Sequence, residues 1–304
     1  MSGHMGFVGV STAQSSIMTI FPIWADILGL PTSTLIGHDL PVDATPEQYV
    51  RLVEQIRDDP DHRGALVTTH KMGLYAAASG LFDELDQFST LCGEISSISK
   101  RDGRLIGHAK DPITAGLALG EFLPADHFRR TGAHAVCLGA GGAGTALTWN
   151  LAERDDVPEL IVVTDTSRER LDHLRSVHER RGTPEGLIRY VRAADPAATR
   201  DVFAAAPKGS LVVNASGLGK DRPGSPVPDG TPFPAQAYVW EFNYRGTLEF
   251  LAQARAQEGA SDLIVVDGWR YFIHGWSQVI AEVFGLNLTE EIVADLAEAA
   301  LASR

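Results

Sequence analysis

Cysteine is scarce in this sequence, since only Cys92 and Cys137 occur among 304 residues. The two lie far apart and form neither a Cys-x-x-Cys pair nor a Cys/His cluster, which argues against a disulfide framework and a structural zinc site. We therefore expect no metal centre. Both side chains are expected to pack as small apolar groups in a reducing cytoplasm.

Positive charge is also in short supply. Lys and Arg number 26 against 39 Asp and Glu, so the formal net charge at pH 7 is −13. Such a charge repels polyphosphates at long range, and the sequence contains no basic stripe that would offset it. Nucleic acid is therefore not expected as a partner.

Long hydrophobic runs are absent as well. No apolar run reaches the roughly 18 to 20 residues of a membrane-spanning helix, and the N-terminus lacks the basic segment and apolar stretch of an export signal. We therefore expect a cytoplasmic protein with no membrane partner. Its hydrophobic fraction of 44% is enough to bury the core of one large or two ordinary domains.

Short apolar runs typical of buried strands alternate with longer segments of helical periodicity, which is the pattern of an α/β fold. The Asp-Gly pair at 102–103 predicts a β-hairpin, because this dipeptide tolerates the positive φ of a tight turn. The strand candidates are 6–10, 33–37, 64–68, 95–99, 105–108, 133–138, 160–164, 211–214, 238–242 and 263–266. The helix candidates are 17–28, 46–58, 73–79, 83–91, 112–122 and 145–153, with 269–304 mostly helical.

A glycine-rich loop follows the strand candidate at 133–138 and precedes a helix candidate. It contains Gly139, Gly141, Gly142, Ala143 and Gly144. Glycines here permit a tight turn and let the backbone approach a pyrophosphate at the positive end of the helix. With a second strand that ends in an acidic residue, the pattern predicts a dinucleotide site. A glycine-rich turn that binds nothing is the alternative.

The acidic residue, Asp165, indicates which dinucleotide is bound. A carboxylate at this strand end accepts hydrogen bonds from ribose hydroxyls and repels a 2′-phosphate. Thr166 follows it, and the first cation is Arg168. We therefore expect NAD rather than NADP, with these three residues among its contacts. The alternative is that Asp165 only caps the next helix.

Two other strand ends carry residues that suit proton transfer. Lys71 follows the strand candidate at 64–68, and Asp111 follows that at 105–108, before a proline suited to the first turn of a helix. A lysine and an aspartate within hydrogen-bond reach can exchange a proton with a substrate hydroxyl while hydride moves to a nicotinamide. Spacing alone leaves open that both are solvated surface charges.

Several segments, in chain order, resemble the shikimate/quinate dehydrogenase family. Residues 213–216 are similar to its strand end Asn-Ala-Thr/Ser, 240–244 to its Tyr-Asp-x-x-Tyr, and 266–268 to its Ala-Asp-Gly turn. Residues 82–86, 93–97 and 102–111 and the glycine loop also match, so the resemblance covers nearly the whole chain. It implies an N-terminal α/β substrate domain, a Rossmann-type doubly wound nucleotide-binding domain, and C-terminal helices that return to the first domain. It also implies cofactor contacts at Asn214, Ala215 and Gly268.

The resemblance implies roles for five further residues. Lys71 and Asp111 match the family's catalytic lysine and aspartate. Ser15 matches the first serine of its carboxylate-binding Ser-x-Ser, and Thr68 matches the threonine of its Asn-Val-Thr. Tyr244 matches a tyrosine that faces the substrate.

The sequence departs from the family in the implied substrate pocket. Ile17 replaces the second serine of Ser-x-Ser, and Leu66 replaces the asparagine of Asn-Val-Thr. Ser96 replaces the asparagine of Ala-Val-Asn-Thr, and Gly275 replaces a substrate-binding glutamine. Each substrate hydroxyl left unpaired would cost about 1 to 3 kcal/mol. We therefore expect a ring with fewer or different hydroxyls than shikimate, while Lys110 adds a cation able to hold an acidic group.

Three histidines, His70, His108 and His274, could replace the lost donors in this pocket. A structural or surface role is the alternative for each of them, and the sequence does not decide. No pair of them has a metal-ligand spacing.

The sequence thus predicts a substrate domain over residues 1–114, an NAD-binding domain over 115–268, and C-terminal helices over 269–304 that pack on the substrate domain. The active site is expected in the cleft between the domains. The expected function is an NAD-dependent dehydrogenase, monomeric or homodimeric, for a secondary alcohol or ketone of a small carboxylated cyclic polyol or a modified relative. One alternative is a catalytically retired sensor of NAD and a small ligand. Another is an enzyme for an amino-substituted ring or a folate-like one-carbon substrate.

Overall fold

The computed structural model describes residues 3–220 and 222–303, which form two compact units. The first unit comprises the chain up to Lys110 together with the segment from Ile273 onward. The second comprises Asp111–Phe272. Within the described residues, each unit is built on one six-stranded sheet.

The first unit contains a mixed sheet. Its strands are β1 (His4–Gly9), β2 (Leu35–Asp39), β3 (His62–Val67), β4 (Glu84–Leu85), β5 (Ser97–Arg101) and β6 (Arg104–His108). They lie in the order β2-β1-β3-β5-β6-β4; β1 is parallel to β2 and β3, and β5 is antiparallel to β3 and β6. The carboxyl ends of β1, β3 and β6 therefore meet the start of β5 at one edge of the sheet.

Local chemistry explains where the first helices of this unit begin and end. They are α1 (Ile17–Leu28), α2 (Pro46–Asp58), α3 (Lys71–Ala78) and α4 (Gln87–Cys92). A capping box between Thr45 and Gln48 starts α2, and Gly29, with a φ of 61°, ends α1. The bounds predicted for α1 and α2 are confirmed.

The predicted hairpin joins β5 to β6. Asp102 and Gly103 have φ values of 51° and 75°, so both central residues are left-handed, as this tight turn requires. The hairpin is therefore confirmed.

The second unit contains a parallel sheet. Its strands are β7 (Ala135–Leu138), β8 (Ile161–Asp165), β9 (Ile188–Arg192), β10 (Leu211–Asn214), β11 (Tyr238–Glu241) and β12 (Ile264–Val266). They lie in the order β12-β11-β10-β7-β8-β9 with parallel neighbours throughout. The chain moves outward from β7 in one direction and from β10 in the other, which is the doubly wound Rossmann arrangement. The predicted α/β class with a Rossmann-type half is therefore confirmed.

Further helices precede, connect and follow these strands. They are α5 (Asp111–Gly120), α6 (His127–Thr131), α7 (Gly142–Glu153), α8 (Arg168–Arg180), α9 (Pro196–Ala205), α10 (Glu249–Arg255), α11 (Glu258–Ser261), α12 (Trp269–Phe284) and α13 (Glu290–Ala300). In the first unit α13 packs on α1, where Trp24 Nε1 donates a hydrogen bond of 2.8 Å to the Leu296 carbonyl. No helix among the described residues is both long and apolar enough to cross a membrane.

Both faces of the second sheet are covered by apolar side chains, as is usual for parallel strands. Along β7, Ala135 and Cys137 enter the core on one face, and Val136 and Leu138 enter the core on the other. Cys92 and Cys137 are both buried, as the sequence predicts, and neither forms a disulfide. Burial raises the pKa of the Cys137 thiol to about 12, so it behaves as an apolar group.

The start of α4 and the edge strand β9 differ from the sequence prediction. The helix predicted over 83–91 is present, but its predicted start is wrong: residues 84–85 pair with β6 as a short strand, and the helix begins only at Gln87. Asp86 explains that start, since its carboxylate accepts a hydrogen bond of 2.6 Å from the Ser89 N–H. The edge strand β9 was not predicted, because its half-exposed residues lack a continuous apolar run.

Candidate active site

The glycine-rich loop joins β7 to α7 at the point where the strand order of the second sheet reverses. Gly139 has a φ of +118°, and a Cβ there would lie 2.7 Å from the Ala215 carbonyl oxygen. A Cβ on Gly144 would lie 2.0 Å from the Gly139 carbonyl oxygen. A Cβ on Gly141, by contrast, would meet nothing within 4 Å. The loop is thus tightly packed on its inner side and open in front of α7, which fits a dinucleotide pyrophosphate.

Asp165 ends β8 and is 9% exposed. Its Oδ2 accepts a hydrogen bond of 2.9 Å from the Ala140 N–H, and its Oδ1 accepts one of 2.8 Å from the Ser167 N–H. The carboxylate therefore braces both the glycine loop and the turn into α8. Each oxygen keeps a lone pair that a ribose hydroxyl could use. The N-cap of α8 is Ser167, not Asp165.

Positive charge surrounds Asp165 on the side of α8 and β9. Arg168 is exposed at the start of α8, and Arg170 Nη1 lies 3.9 Å from Asp165 Oδ2. Arg192, the register partner of Asp165 on β9, donates a hydrogen bond of 3.3 Å to the Thr166 carbonyl. Charges of both signs therefore meet where the ribose of a dinucleotide would bind.

A closed hydrogen-bond network ties the carboxyl ends of β10 and β11. Glu241 accepts a bond of 2.7 Å from Asn214 Nδ2, and bonds of 2.8 Å from both the N–H and the Nδ2 of Asn243. Both amide groups also donate to the Leu218 carbonyl, at 3.2 and 3.0 Å. Asn214 Oδ1 in turn accepts from the N–H and Oγ of Ser216, at 3.1 and 2.6 Å. The network places Asn214 and Ala215 beside the glycine loop.

Glu241 is fully buried within this network. Burial raises its pKa to about 7, although the hydrogen bonds from Asn243, Asn214 and the Phe242 backbone oppose the rise. Glu241 lies in the motif at 240–244, and no role was predicted for it. An acidic residue that ends an apolar strand beside Asn214 was the signal that could have identified it.

Gly268 and Tyr244 lie near the same end of the second sheet. A Cβ on Gly268 would lie 2.2 Å from the Phe242 carbonyl oxygen, so the chain approaches closely there. The Tyr244 ring packs on Phe272 and Trp269, with centroid distances of 4.3 and 5.8 Å. The ring position of Tyr244 is therefore fixed by aromatic packing within this unit.

In the first unit, predicted site residues gather where β3 and β6 end and β5 begins. Thr68 Oγ1 donates a bond of 3.1 Å to the Val8 carbonyl, and its own carbonyl accepts one of 3.4 Å from the Lys71 N–H. The Lys71 carbonyl accepts a bond of 3.1 Å from Ile95 N–H. Lys71 is thereby held at the start of α3, next to the segment that leads into β5.

The other predicted substrate residues of this unit differ in exposure. Ser15 follows a short 3₁₀ turn after β1 and is 8% exposed. Ile17 and Leu66 are buried, with 0% and 6% exposure, and Gly275 lies half-buried in α12. The two apolar replacements therefore bring no hydrogen-bonding group to this region.

Lys110 has a partner that differs from its predicted role. Its ammonium pairs with Glu282 of α12, whose other carboxylate oxygen accepts a bond of 2.6 Å from Arg101 Nη2. Burial raises the pKa of Glu282, but the hydrogen bond from Lys110 and the neighbouring positive charges outweigh it, so this pKa lies below its ordinary value. The charge of Lys110 is thus largely neutralised within the protein. Its N–H also donates a bond of 2.7 Å to Ser96 Oγ.

Two of the histidines left open by the sequence, His70 and His108, contact polar groups of the first unit. His70 is 2% exposed; its Nδ1 lies 2.8 Å from the Tyr49 hydroxyl, and its Nε2 lies 3.1 Å from the Leu40 carbonyl. His108 lies 3.1 Å from Ser99 Oγ and 3.4 Å from Glu282 Oε1. His274 is 6% exposed on α12. Within residues 3–220 and 222–303, no three His, Cys, Asp or Glu side chains converge on a metal position.

Asp111 and Lys71 belong to different units. Asp111 is the first residue of α5 and is 7% exposed, and Lys71 is the first residue of α3 and is half-buried. Sequence reasoning also missed Glu94, a carboxylate with 1% exposure that stands two residues before Ser96. The alanine of the family motif Ala-Val-Asn-Thr corresponds to Glu94, and this departure was a signal that went unused.

Comparison with known proteins identifies the family, although no family model matches the chain. Shikimate dehydrogenase (NADP(+)) of Symbiobacterium thermophilum is 31% identical over 263 residues, 85% of this chain and 83% of that protein. The corresponding enzyme of Streptococcus gordonii is 33% identical over 180 residues, and the match spans only 58% of each chain. Quinate dehydrogenase from Corynebacterium glutamicum, solved with NAD, superposes with a TM-score of 0.73 at 21% identity over 99% of both chains. The chain belongs to the shikimate dehydrogenase family of NAD(P)-dependent oxidoreductases.

Proposed function

We propose that this protein is an NAD-dependent dehydrogenase that interconverts a secondary alcohol and a ketone on a small carboxylated ring. The observation that carries this proposal is the glycine loop at the strand-order reversal, braced by the buried carboxylate of Asp165. The second unit then holds the cofactor, and the first unit holds most of the substrate contacts. A structural relative named quinate dehydrogenase, solved with NAD, supports the same assignment.

The preference for NAD rests on charge and remaining hydrogen-bonding capacity at Asp165. Its two oxygens accept one backbone bond each, which leaves room for two ribose hydroxyls. A 2′-phosphate at the same place would meet a carboxylate. Arg170, the nearest cation, lies 3.9 Å from that carboxylate and is partly neutralised by it. Two relatives in sequence are named shikimate dehydrogenase (NADP(+)), so the choice between NAD and NADP is the first property to measure.

Proton transfer is assigned to Lys71 and Asp111 on the family resemblance. A bound nicotinamide supplies the hydride acceptor or donor. Lys71 exchanges the proton of the reacting hydroxyl at Nζ, and Asp111 orients the lysine and the hydroxyl. Two backbone hydrogen bonds support this role, because they fix the start of α3: Lys71 N–H donates to the Thr68 carbonyl, and Ile95 N–H donates to the Lys71 carbonyl. Ser15 binds the ring carboxylate, and Thr68 and Tyr244 contact the ring.

The substrate carries fewer hydroxyl groups than shikimate or carries them elsewhere. Ile17 and Leu66 stand where the family has hydroxyl and amide side chains, and both are buried and apolar. A ring hydroxyl placed against them would lose about 1 to 3 kcal/mol of binding. A methylene at that place costs nothing, which favours a deoxygenated ring.

An amino-substituted ring is a second candidate, and Glu94 favours it. Glu94 is buried, and the N–H of the next residue, Ile95, donates to the Lys71 carbonyl. A buried carboxylate pairs well with a ring ammonium and poorly with an uncharged hydroxyl. The alternatives of a ligand sensor and of a folate-like substrate have no comparable observation in their favour.

The first experiment follows the absorbance of the reduced cofactor with NAD and with NADP. Its substrates are shikimate, quinate, ring acids that lack one hydroxyl, and ring acids that carry an amine. Turnover with NAD of a ring acid that lacks one hydroxyl, or of a ring acid that carries an amine, supports the proposal. Turnover of shikimate with NADP would overturn both the cofactor and the pocket arguments. Glu94→Gln then separates the two substrate candidates, because it raises the KM of an amino substrate alone.

A lysine substitution separates an enzyme from a sensor. Lys71→Ala is expected to lower kcat about 10²- to 10⁴-fold, the usual contribution of a general acid or base, and to leave the Kd for NAD unchanged. The matched control is Lys208→Ala, which removes an exposed lysine of the second unit. Full turnover in Lys71→Ala would refute the assignment. NAD binding without turnover of any panel member in the unaltered protein would favour the sensor.

A further inference from the structure

We propose that Glu241 is a positioning residue for the cofactor, because its carboxylate fixes the loop that forms one wall of the glycine-loop site. The inference rests on the proposed binding of a dinucleotide there. Glu241 itself is fully buried and does not reach solvent. It acts through Asn214 and Asn243.

The groups that hydrogen-bond to the Glu241 carboxylate are all donors. Asn214 Nδ2, Asn243 N–H and Asn243 Nδ2 converge on its two oxygens at 2.7 to 2.8 Å. Above its pKa of about 7 the Glu241 carboxylate is ionised, offers only acceptors and satisfies these three donors. A glutamine of the same shape offers one acceptor oxygen and turns an N–H toward an N–H. The network therefore selects a carboxylate rather than an amide at this position.

The network sets the course of residues 214–218. Both asparagine amide groups donate to the Leu218 carbonyl, and Ser216 Oγ donates to Asn214 Oδ1 and accepts from the Leu218 N–H at 3.3 Å. The orientation of the Asn214 amide decides two of these bonds, from its Nδ2 to the Leu218 carbonyl and from Ser216 Oγ to its Oδ1. Glu241 holds that orientation by accepting from Asn214 Nδ2 at 2.7 Å.

This loop lies directly against the glycine loop. A Cβ on Gly139 would lie 2.7 Å from the Ala215 carbonyl oxygen and from the Ser216 Cα. No side chain separates the two loops, so any shift of residues 214–218 changes the space beside the start of α7. On the other side of the network, the Asn243 carbonyl accepts a bond of 3.2 Å from Gly268 N–H. Glu241 thus couples three strand ends that border the proposed cofactor site.

Glu241→Gln tests this role by calorimetric titration with NAD alone. The variant is expected to raise the Kd for NAD about tenfold, the effect of one buried donor left without its acceptor. With a substrate in hand, the KM for NAD should rise while kcat changes little. Glu241→Asp, which keeps the charge, should recover part of the affinity.

The matched control removes another buried acid of the same unit. Asp156 is 2% exposed and accepts bonds of 2.8 and 2.7 Å from the N–H groups of Phe128 and Arg129 at the start of α6. Asp156→Asn should lower the thermal midpoint and leave the Kd for NAD unchanged. If Glu241→Gln does not fold, Ser216→Ala replaces it, because it removes two loop bonds without touching the buried charge; its expected rise in Kd is about threefold.

The outcomes are separable. If the unaltered protein binds neither NAD nor NADP, the proposed function fails before Glu241 is tested. If the unaltered protein binds NAD, the Kd of the Glu241→Gln variant decides, or that of Ser216→Ala in its place. A Kd for NAD equal to that of the unaltered protein refutes the positioning role. A loss of affinity that only follows a loss of stability, and that Asp156→Asn reproduces, also refutes it.

Discussion

Glu241 should make the stability of this protein fall as the pH rises. Burial raises its pKa from 4.5 to about 7 in the folded protein, although hydrogen bonds from Asn243, Asn214 and the Phe242 backbone oppose the rise. The folded chain therefore binds this proton more tightly than the unfolded chain does. The resulting stabilisation is complete below pH 4.5 and is lost as the pH rises through 7.

The size of the effect follows from the two pKa values. They differ by about 2.5, and each unit corresponds to about 1.4 kcal/mol, so the full loss is about 3 kcal/mol. About 2 kcal/mol of it falls between about pH 5.5 and pH 8.0, by the same linkage relation. The protein is least soluble near its isoelectric point of about 5.2, and this pH interval lies above that point.

Urea unfolding of the unaltered protein and of Glu241→Gln, at several pH values in that interval, measures the effect. Other titrating groups, such as His62, whose pKa is lowered to about 3 by burial and by His38 and His4, are common to both proteins and cancel in the difference. The free energy of unfolding of the unaltered protein, relative to the variant, should fall by about 2 kcal/mol from the acid to the alkaline end. A difference that stays constant with pH would refute the reasoning.

Three further substitutions test other parts of the site. Gly144→Ala should lower the unfolding midpoint and should lower NAD affinity at least tenfold, because its Cβ would lie 2.0 Å from the Gly139 carbonyl oxygen. Gly141→Ala is the control for stability, since its Cβ would meet nothing within 4 Å. Equal unfolding midpoints for the two variants would contradict this prediction. Glu282→Gln should cost about 2 kcal/mol in urea unfolding, since Lys110 loses its charged acceptor, and a change below about 0.5 kcal/mol would show the pair to be unimportant. Asp165→Asn should lower the ratio of NADP Kd to NAD Kd measured by calorimetry, and an unchanged ratio would mean that this carboxylate does not select the cofactor.

The parts of the fold that the sequence predicted are those set by local chemistry. The bounds of α1 and α2 were predictable because Gly29 and the Thr45–Gln48 capping box act within a few residues of the helix ends. The short strand β4 was not predictable in this way. Residues 84–85 form a strand only because β6, about twenty residues later in the chain, offers its free edge.

The candidate site divides along the same line. The glycine loop was visible because its strand, turn and helix are contiguous in the sequence. The partner of Lys110 was not, since Glu282 lies 172 residues away. A charge that reads as available in the sequence is in fact paired, and only the folded chain shows it.

Asp165 and Glu241 show why strand-end carboxylates need the structure for their roles. Both end an apolar parallel strand, and on opposite sides of the reversal between β7 and β10. Asp165 accepts one hydrogen bond on each oxygen and keeps capacity for a ligand, whereas Glu241 is fully buried and accepts bonds from Asn214, Asn243 and the Phe242 backbone. The set of donors around each carboxylate, rather than its place in the sequence, therefore supports our proposals that Asp165 binds the cofactor and that Glu241 is a positioning residue.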